Sequence, residues 1–97
     1  MTTTTTTTNQ TTAAQIGRGN ILAISGGRIV KISETTIALP VRYGYTVEVE
    51  YDRGSDTYNV RRIFARGLKR WVKAEWTTVY CDQVGEIAYR ASCYLDD

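Results

Sequence analysis

The sequence predicts an α+β fold, in which an antiparallel β meander of about five to six strands, either open or barrel-like, is packed by one C-terminal amphipathic helix. The first observation is the stretch from Tyr45 to Tyr51, where apolar and polar residues alternate strictly, as in a strand with one buried face. The second is a change of period after Thr78, where apolar residues recur every three to four positions, as in a helix. Turn residues separate the segments, which is typical of a meander.

The N-terminal residues differ in character from the rest of the chain. Residues 1–15 begin with an unbroken threonine run from Thr2 to Thr8 and show no apolar periodicity. Such a segment cannot bury enough apolar surface to offset the conformational entropy lost on ordering. We therefore expect a disordered Thr-rich tail over residues 1–15 and a single α+β domain over residues 16–97. Because threonine has a high β propensity, the tail could instead add an extended strand to the sheet edge of a partner.

The start of the domain predicts a hairpin around a pair of glycines. Ile21 to Ile24 and Arg28 to Ile32 are short apolar segments on either side of Gly26-Gly27. Two glycines supply the positive φ angles that a type I′ turn requires. A further short strand, Thr35 to Leu39, is expected to end at Pro40, which cannot donate to a sheet ladder.

Three long strands follow, and their register can be predicted from the side chains that it places opposite each other. A turn at Arg53 to Asp56 leads into a strand from Thr57 to Arg66, and Gly67-Leu68 leads into a strand from Lys69 to about Thr78. Closing both turns tightly pairs aromatic with aromatic and acid with base, and each such pair contributes roughly 0.2–1 kcal/mol. The predicted pairs are Asp52 with Thr57, Tyr51 with Tyr58, Val49 with Val60, Glu48 with Arg61, Tyr45 with Phe64, Arg66 with Lys69, Phe64 with Trp71, and Ile63 with Val72.

The predicted core face of these strands contains one local conflict. The same register places Arg62 opposite Lys73 on this face, where two cations repel each other. Either a β-bulge shifts the register there, or that end of the face is open to solvent or to a partner. The other predicted members of the face are Tyr45, Val47, Val49, Tyr51, Tyr58, Val60, Phe64 and Trp71.

The C-terminal helix is predicted from one apolar stripe. Gly85 lies inside it, and because glycine costs about 1 kcal/mol relative to alanine in a helix interior, we expect a strand backbone to pass close by. Cys81 is predicted to be a small buried residue, with a reactive thiolate at the helix N-terminus as the alternative. Along such a helix Cys81 and Cys93 would lie roughly 18 Å apart, too far for a disulfide. The stripe consists of Cys81, Val84, Ile87, Ala88, Ala91 and Leu95.

Composition limits the chemistry that the chain can perform. The sequence contains no histidine and two cysteines, and its formal net charge is +2. Without the commonest general base and metal ligand, we expect no catalytic residue, no metal site and no cofactor. Glu48 and Glu50 share a strand face as a glycosidase pair would, but we expect Glu48 to pair with Arg61 instead. No segment is long and apolar enough for a membrane helix and no signal peptide is recognisable, so we expect a cytoplasmic protein without membrane contact.

One stretch concentrates positive charge and is the predicted binding site. Between Arg61 and Lys73 no acidic residue occurs, and Phe64 and Trp71 lie among the cations. Arginine and tryptophan dominate interface hot spots, so we predict a non-enzymatic module whose β hairpin binds a protein, either a different protein or a second copy. The alternatives are nucleic-acid or nucleotide-phosphate binding by hairpin 61–73, and a solvated hairpin whose cations protect an edge strand. The predicted site residues are Arg61, Arg62, Arg66, Lys69, Arg70, Trp71 and Lys73.

The segment from Val79 to Arg90, VYCDQVGEIAYR, together with the arginine-rich hairpin before it, resembles short uncharacterised proteins encoded by actinobacterial phages. The resemblance covers the C-terminal half of the chain and carries no named catalytic or binding residues. It implies a bacteriophage accessory protein that works in the host cytoplasm and binds host factors or nucleic acid.

Overall fold

The computed structural model describes residues 8–41 and 43–93, and in them five antiparallel strands form one open sheet. The strands lie in the sheet in their sequence order, so the predicted α+β meander with its C-terminal helix is confirmed, and the sheet is not closed into a barrel. The elements are α1 (Thr8–Ile16), α2 (Arg18–Ser25), β1 (Val30–Lys31), β2 (Thr36–Pro40), β3 (Tyr45–Asp52), β4 (Thr57–Arg66), β5 (Lys69–Val79) and α3 (Val84–Ser92).

The registers of the two long hairpins are confirmed at every predicted pair except that of Arg62 with Lys73. Tyr45 lies opposite Phe64, with ring centroids 5.0 Å apart, and Phe64 lies opposite Trp71, with ring centroids 5.6 Å apart. On the other face of the sheet, Glu48 lies opposite Arg61. Cross-strand contacts of this kind stabilise one register against its neighbours, because a slip of one residue would move every side chain to the wrong face.

A β-bulge in β5 resolves the conflict between the two cations. Ile63 still faces Val72, but Arg62 faces Ala74, so Lys73 is the inserted residue. Of the two predicted alternatives, the structure therefore has the bulge. Its effect is that Arg62 is not paired with a second cation.

A second bulge lies further along β5. Val60 faces Trp76 and Tyr58 faces Val79, which leaves one extra residue in β5 between these pairs. Thr78 lies in this bulge with a φ of 54°, in the left-handed region. The bulge returns Val79 to the core face, where it is buried.

The hairpin predicted around Gly26-Gly27 is wrong, because its first arm is helical. Ile21 to Ile24 lie within α2, and Gly26 ends this helix with a φ of 68°. The N–H of Gly26 donates to the carbonyl of Leu22 over 2.9 Å, and that of Gly27 donates to the carbonyl of Ile21 over 3.4 Å. The glycines do supply positive φ angles, but they use them at a helix C-terminus instead of a hairpin turn.

Helix α1 occupies much of the segment that was expected to be a tail. Residues 1–7 of that segment lie outside the described residues, whereas Thr8–Ile16 is helical. Thr12 is fully buried and Ile16 is 2% exposed, so the helix contributes to the core. Among the described residues, ordered structure therefore extends N-terminal to Ile16 as far as Thr8.

The three helices pack on one face of the sheet.

Helix α3 approaches α1 closely at Gly85. A Cβ added to Gly85 would lie 2.5 Å from the carbonyl oxygen of Ile16 and 2.7 Å from Nδ2 of Asn20. The close backbone approach predicted at Gly85 is therefore present, but it comes from α1 and not from a strand. The buried core consists of Ile16, Ile21, Ile24, Ile37, Leu39, Val47, Val49, Tyr58, Val60, Val79, Val84, Ala88 and Ala91.

Both cysteines are free and exposed. The prediction that Cys81 is buried is wrong, because α3 begins at Val84 and leaves Cys81 in the preceding turn. Within the predicted apolar stripe, Val84, Ala88 and Ala91 are fully buried, whereas Leu95 lies outside the described residues.

Candidate binding surface

Arg62, one of the predicted site residues, is buried against the end of α3 and is 5% exposed. Its Nη1 donates to the carbonyl oxygens of Ala91 over 2.8 Å and of Ser92 over 3.1 Å. Its guanidinium carbon lies 4.1 Å from the centroid of the Tyr45 ring. The last carbonyls of a helix carry the negative end of its dipole, so Arg62 caps α3 while the ring face stabilises its charge. Arg62 is therefore enclosed and does not face a partner.

Arg61 is held in an ion-pair network on the sheet face that carries no helix. Its Nη2 lies 2.6 Å from Oε1 of Glu50 and its Nε lies 2.9 Å from Oε2 of Glu75. Partial burial alone lowers the pKa of Arg61, but the hydrogen bonds to Glu50 and Glu75 outweigh this and raise the pKa. Glu48 lies 3.9 Å from Nη1 of Arg61 and also pairs with Arg70. The expected pairing of Glu48 with Arg61 is present, and Arg70 is its closer partner.

The remaining predicted site residues, Arg66, Lys69, Trp71 and Lys73, lie at or near the β4–β5 turn. Arg66 faces Lys69 across this turn, and Trp71 faces Phe64 on the core side. Because alternate residues of a strand point to the same face, Lys69 and Trp71 lie together on it, whereas Lys73 occupies the bulge that follows Val72. None of the ion pairs formed by the described residues includes Arg66, Lys69 or Lys73. Three exposed cations that form no ion pair with another described residue therefore lie close to Trp71 in the sequence of this hairpin.

An aromatic row of Tyr45, Phe64 and Trp71 crosses β3, β4 and β5. The rings of Tyr45 and Phe64 are tilted by 53°, and those of Phe64 and Trp71 are stacked within 26°. Trp71 is 45% exposed and lies on β5, which is an edge strand. Phe64 stacks on the Trp71 ring, and the exposed part of the Trp71 side chain can contact a partner.

Two exposed apolar residues at this end were not predicted. Leu68 has full exposure in the β4–β5 turn, and Tyr43 is 87% exposed in the β2–β3 turn. The N–H of Ala65 donates to the carbonyl of Gly44 over 2.9 Å, which holds the β2–β3 turn beside β4. The exposure of Leu68 could have been predicted from the sequence, because a side chain in a two-residue hairpin turn lies too far from the core to be buried. We define the hairpin surface as Arg66, Leu68, Lys69, Trp71 and Lys73.

A second exposed apolar area lies between α1 and α2. It is an open groove of about 610 Å³ whose lining includes Ala13, Ala14, Leu22 and Ile29. Leu22 is 55% exposed and Ile29 is 44% exposed. This groove carries fewer cations than the hairpin surface, with Arg18 alone among its lining residues.

Comparison of the chain with protein-family models, with curated proteins and with solved structures found no match. Across residues 8–41 and 43–93, no group of three or more His, Cys, Asp or Glu side chains is placed to hold a metal ion. No helix in the described part of the chain is long and apolar enough to cross a membrane. Function is therefore inferred from the hairpin surface.

Proposed function

We propose that the chain is a small non-enzymatic binding module, an accessory protein of bacteriophage type, which engages a protein in the host cytoplasm through the hairpin surface. The observation that carries this proposal is the exposure of Leu68 and Trp71 among three cations that pair with no carboxylate of the described residues. Two exposed free thiols fit a reducing compartment, which supports the cytoplasm.

The aromatic row favours a preorganised interface. Trp71 is stacked on Phe64, so its ring already has a fixed orientation before a partner arrives. A side chain that is held in place loses little entropy on binding, and buried tryptophans surrounded by polar groups are frequent interface hot spots. The cations around Trp71 would form the polar rim of such a contact.

The edge of β5 is poorly suited to adding another strand. Two bulges interrupt the strand, and Lys69, Arg70 and Lys73 place positive charge along it. Bulges and lysines are common devices that protect sheet edges from further pairing. A partner is therefore expected to contact the side chains of the hairpin surface instead of extending the sheet.

The proposal can be tested by affinity capture from the native host with the full chain as bait, after nuclease treatment. We expect Leu68→Ala combined with Trp71→Ala to reduce recovery of the captured partner at least tenfold. The matched control is Leu22→Ala combined with Ile29→Ala, which removes similarly exposed side chains from the groove and should leave recovery unchanged. Equal recovery with wild type and the Leu68/Trp71 variant would contradict the proposal.

Single-stranded nucleic acid is the second candidate, favoured by the exposed part of the Trp71 side chain between Lys69 and Lys73. A base could stack on this ring while phosphates contact the cations. Three phosphate contacts would give a slope of about −2 in a plot of log affinity against log salt. The measurement is fluorescence polarisation of a labelled single-stranded DNA, with Lys69→Glu combined with Lys73→Glu as the test variant. No change in polarisation at low salt would exclude this candidate.

A further inference from the structure

We infer that the protein partner of the hairpin surface is a second copy of this chain, which docks its opposite, acidic end there. This inference rests on the proposed function, which leaves the identity of the protein partner open. The contact is head-to-tail, because the hairpin surface of one copy binds a different surface of the next copy.

The acidic end is formed by the β3–β4 turn and by the turn that precedes α3. Asp52 ends β3 directly before the first turn, Asp56 belongs to that turn and Asp82 to the second. Both turns lie at the same end of the sheet, because Tyr58, beside the first, faces Val79, shortly before the second. We define the acidic end as Asp52, Asp56 and Asp82.

The charges of these carboxylates are not neutralised within the described part of the molecule. Asp52 accepts a hydrogen bond from the N–H of Gly54 over 2.9 Å, and Asp56 accepts one from the hydroxyl of Tyr51. Both donors are neutral groups. None of the ion pairs between described residues includes the acidic end or Arg53, the one cation in its turns. Three carboxylates against one guanidinium leave this end negative.

The two charged ends cannot meet within one molecule. From Lys69 to Val79, β5 runs about 33 Å at about 3.3 Å per residue, and the molecule measures 44 Å along its longest axis. At this distance a rigid sheet holds the hairpin surface away from its own acidic end. Attraction between the two ends can therefore act only between molecules, and a second copy of the chain carries both of them.

Apolar groups accompany the charges at both ends. Tyr80 is 57% exposed beside Asp82, and it can pack against Leu68 or Trp71 of another copy. The end of a molecule that measures 25 by 24 Å across offers at most about 600 Å² per copy, which is at the lower limit of specific interfaces. We therefore expect reversible association that grows with concentration. Because the contact is head-to-tail, it extends into chains and does not stop at a dimer.

Sedimentation velocity of the full chain over a concentration series tests this inference. At about 0.02 M salt we expect the average mass to rise with concentration, and at about 0.5 M salt we expect it to fall toward the 10.9 kDa monomer. The reason is that the screening length shortens from about 20 Å to about 4 Å. A mass that stays at the monomer value under both conditions would overturn the inference.

Charge variants of the two ends identify the contact. Lys69→Glu with Lys73→Glu, and separately Asp52→Lys with Asp82→Lys, should each weaken self-association at least tenfold. An equimolar mixture should associate again, because the first variant keeps an intact acidic end and the second keeps an intact hairpin surface. The control is Arg28→Glu with Arg90→Glu, which makes the same charge change as the lysine variant at cations after α2 and in the last turn of α3, outside the residues that define the two ends, and should associate like wild type.

Three outcomes would overturn head-to-tail docking. The first is a mixture of the two variants that remains monomeric although thermal melting shows both to be folded. The second is association that is abolished by Leu22→Ser with Ile29→Ser in the groove and is insensitive to the end variants. The third is a monomeric wild type that still captures a host protein through Leu68 and Trp71, and this result would leave the proposed function standing.

Discussion

Arg62 stabilises the fold in a way that a count of charges does not suggest. It is buried without a carboxylate partner among the described ion pairs, and its charge is balanced by two carbonyls at the end of α3 and by the face of Tyr45. Its neighbour Arg61 instead has three carboxylates around it. These two adjacent arginines on β4 lie on opposite faces of the sheet, because successive side chains of a strand alternate between its faces.

Replacing Arg62 by alanine should lower the free energy of unfolding by about 2–4 kcal/mol. Hydrogen bonds from a charged donor contribute roughly 1.5–3 kcal/mol, and the contact with the ring adds roughly 1 kcal/mol. Urea denaturation of both proteins measures the difference. Arg66→Ala is the control, since Arg66 is exposed and forms none of the described ion pairs, and it should change stability by less than about 0.5 kcal/mol. Equal effects of the two substitutions would contradict the assigned role of Arg62.

Gly85 and Gly19 should respond to alanine with opposite signs. Both lie in helices, where alanine is favoured over glycine by about 1 kcal/mol. A Cβ at Gly85 would meet the backbone of α1 at 2.5 Å, whereas nothing lies within 4 Å of a Cβ at Gly19. We therefore expect Gly19→Ala to stabilise by up to about 1 kcal/mol and Gly85→Ala to destabilise by about 1–3 kcal/mol. A stabilising Gly85→Ala in chemical denaturation would show that α1 does not pack there.

Strands and helices differed in how far the sequence could predict them. β3, β4 and β5 were predicted with their register, because pairs such as Tyr45 with Phe64 test a register directly. The same reasoning identified a conflict at Arg62 and offered a bulge as one solution. It could not show that Arg62 reaches the end of α3, because that contact joins residues that are 29 positions apart in the sequence.

Helices α1 and α2 could not be predicted by the same means. α1 is rich in threonine and has no clear apolar stripe, so its formation depends on burial of Thr12 and Ile16 against the rest of the fold. Tertiary packing of this kind overrides a weak local propensity. α2 was mistaken for a strand because a glycine pair serves a hairpin turn and a helix C-terminus equally well. Of the candidate site, the exposed cations and Trp71 were predicted, whereas Leu68 was missed and Arg61 and Arg62 are engaged elsewhere.

The second bulge of β5 holds Thr78 in an unfavourable backbone conformation. Thr78 has a φ of 54°, and a left-handed conformation costs a side chain with a Cβ roughly 1–2 kcal/mol. Thr78→Gly should therefore stabilise the protein by about 0.5–1 kcal/mol after the entropy cost of glycine is subtracted. Thr46→Gly, a control at a regularly paired position of β3, should destabilise by a similar amount, because a glycine weakens an ordinary strand position. Guanidinium denaturation distinguishes the two, and destabilisation by both would contradict the strained bulge.

Across the described residues, the hairpin surface is positive and the acidic end is negative, while the apolar core lies on the helix-bearing face. The small core makes stability sensitive to each element that covers it, since a domain of this size buries only about 60–65% of its unfolded surface. α1 supplies part of that cover through Ile16, and it also supplies the backbone that approaches Gly85. Measurements of stability can therefore show which N-terminal residues the folded domain requires.

Truncation should locate the N-terminal boundary of the domain within α1. We expect a protein of residues 8–97 to unfold cooperatively and one of residues 17–97 to lose at least about 3 kcal/mol, because the latter lacks the buried Thr12 and Ile16. Within the full chain, Ile16→Ala should cost about 2–5 kcal/mol, whereas Gln15→Ala on the exposed side of the same helix should cost almost nothing. Thermal and urea unfolding followed by circular dichroism measure both comparisons. If residues 17–97 unfold at the same urea concentration as residues 8–97, α1 does not belong to the core, and the domain begins near Ile16 as its sequence pattern predicted.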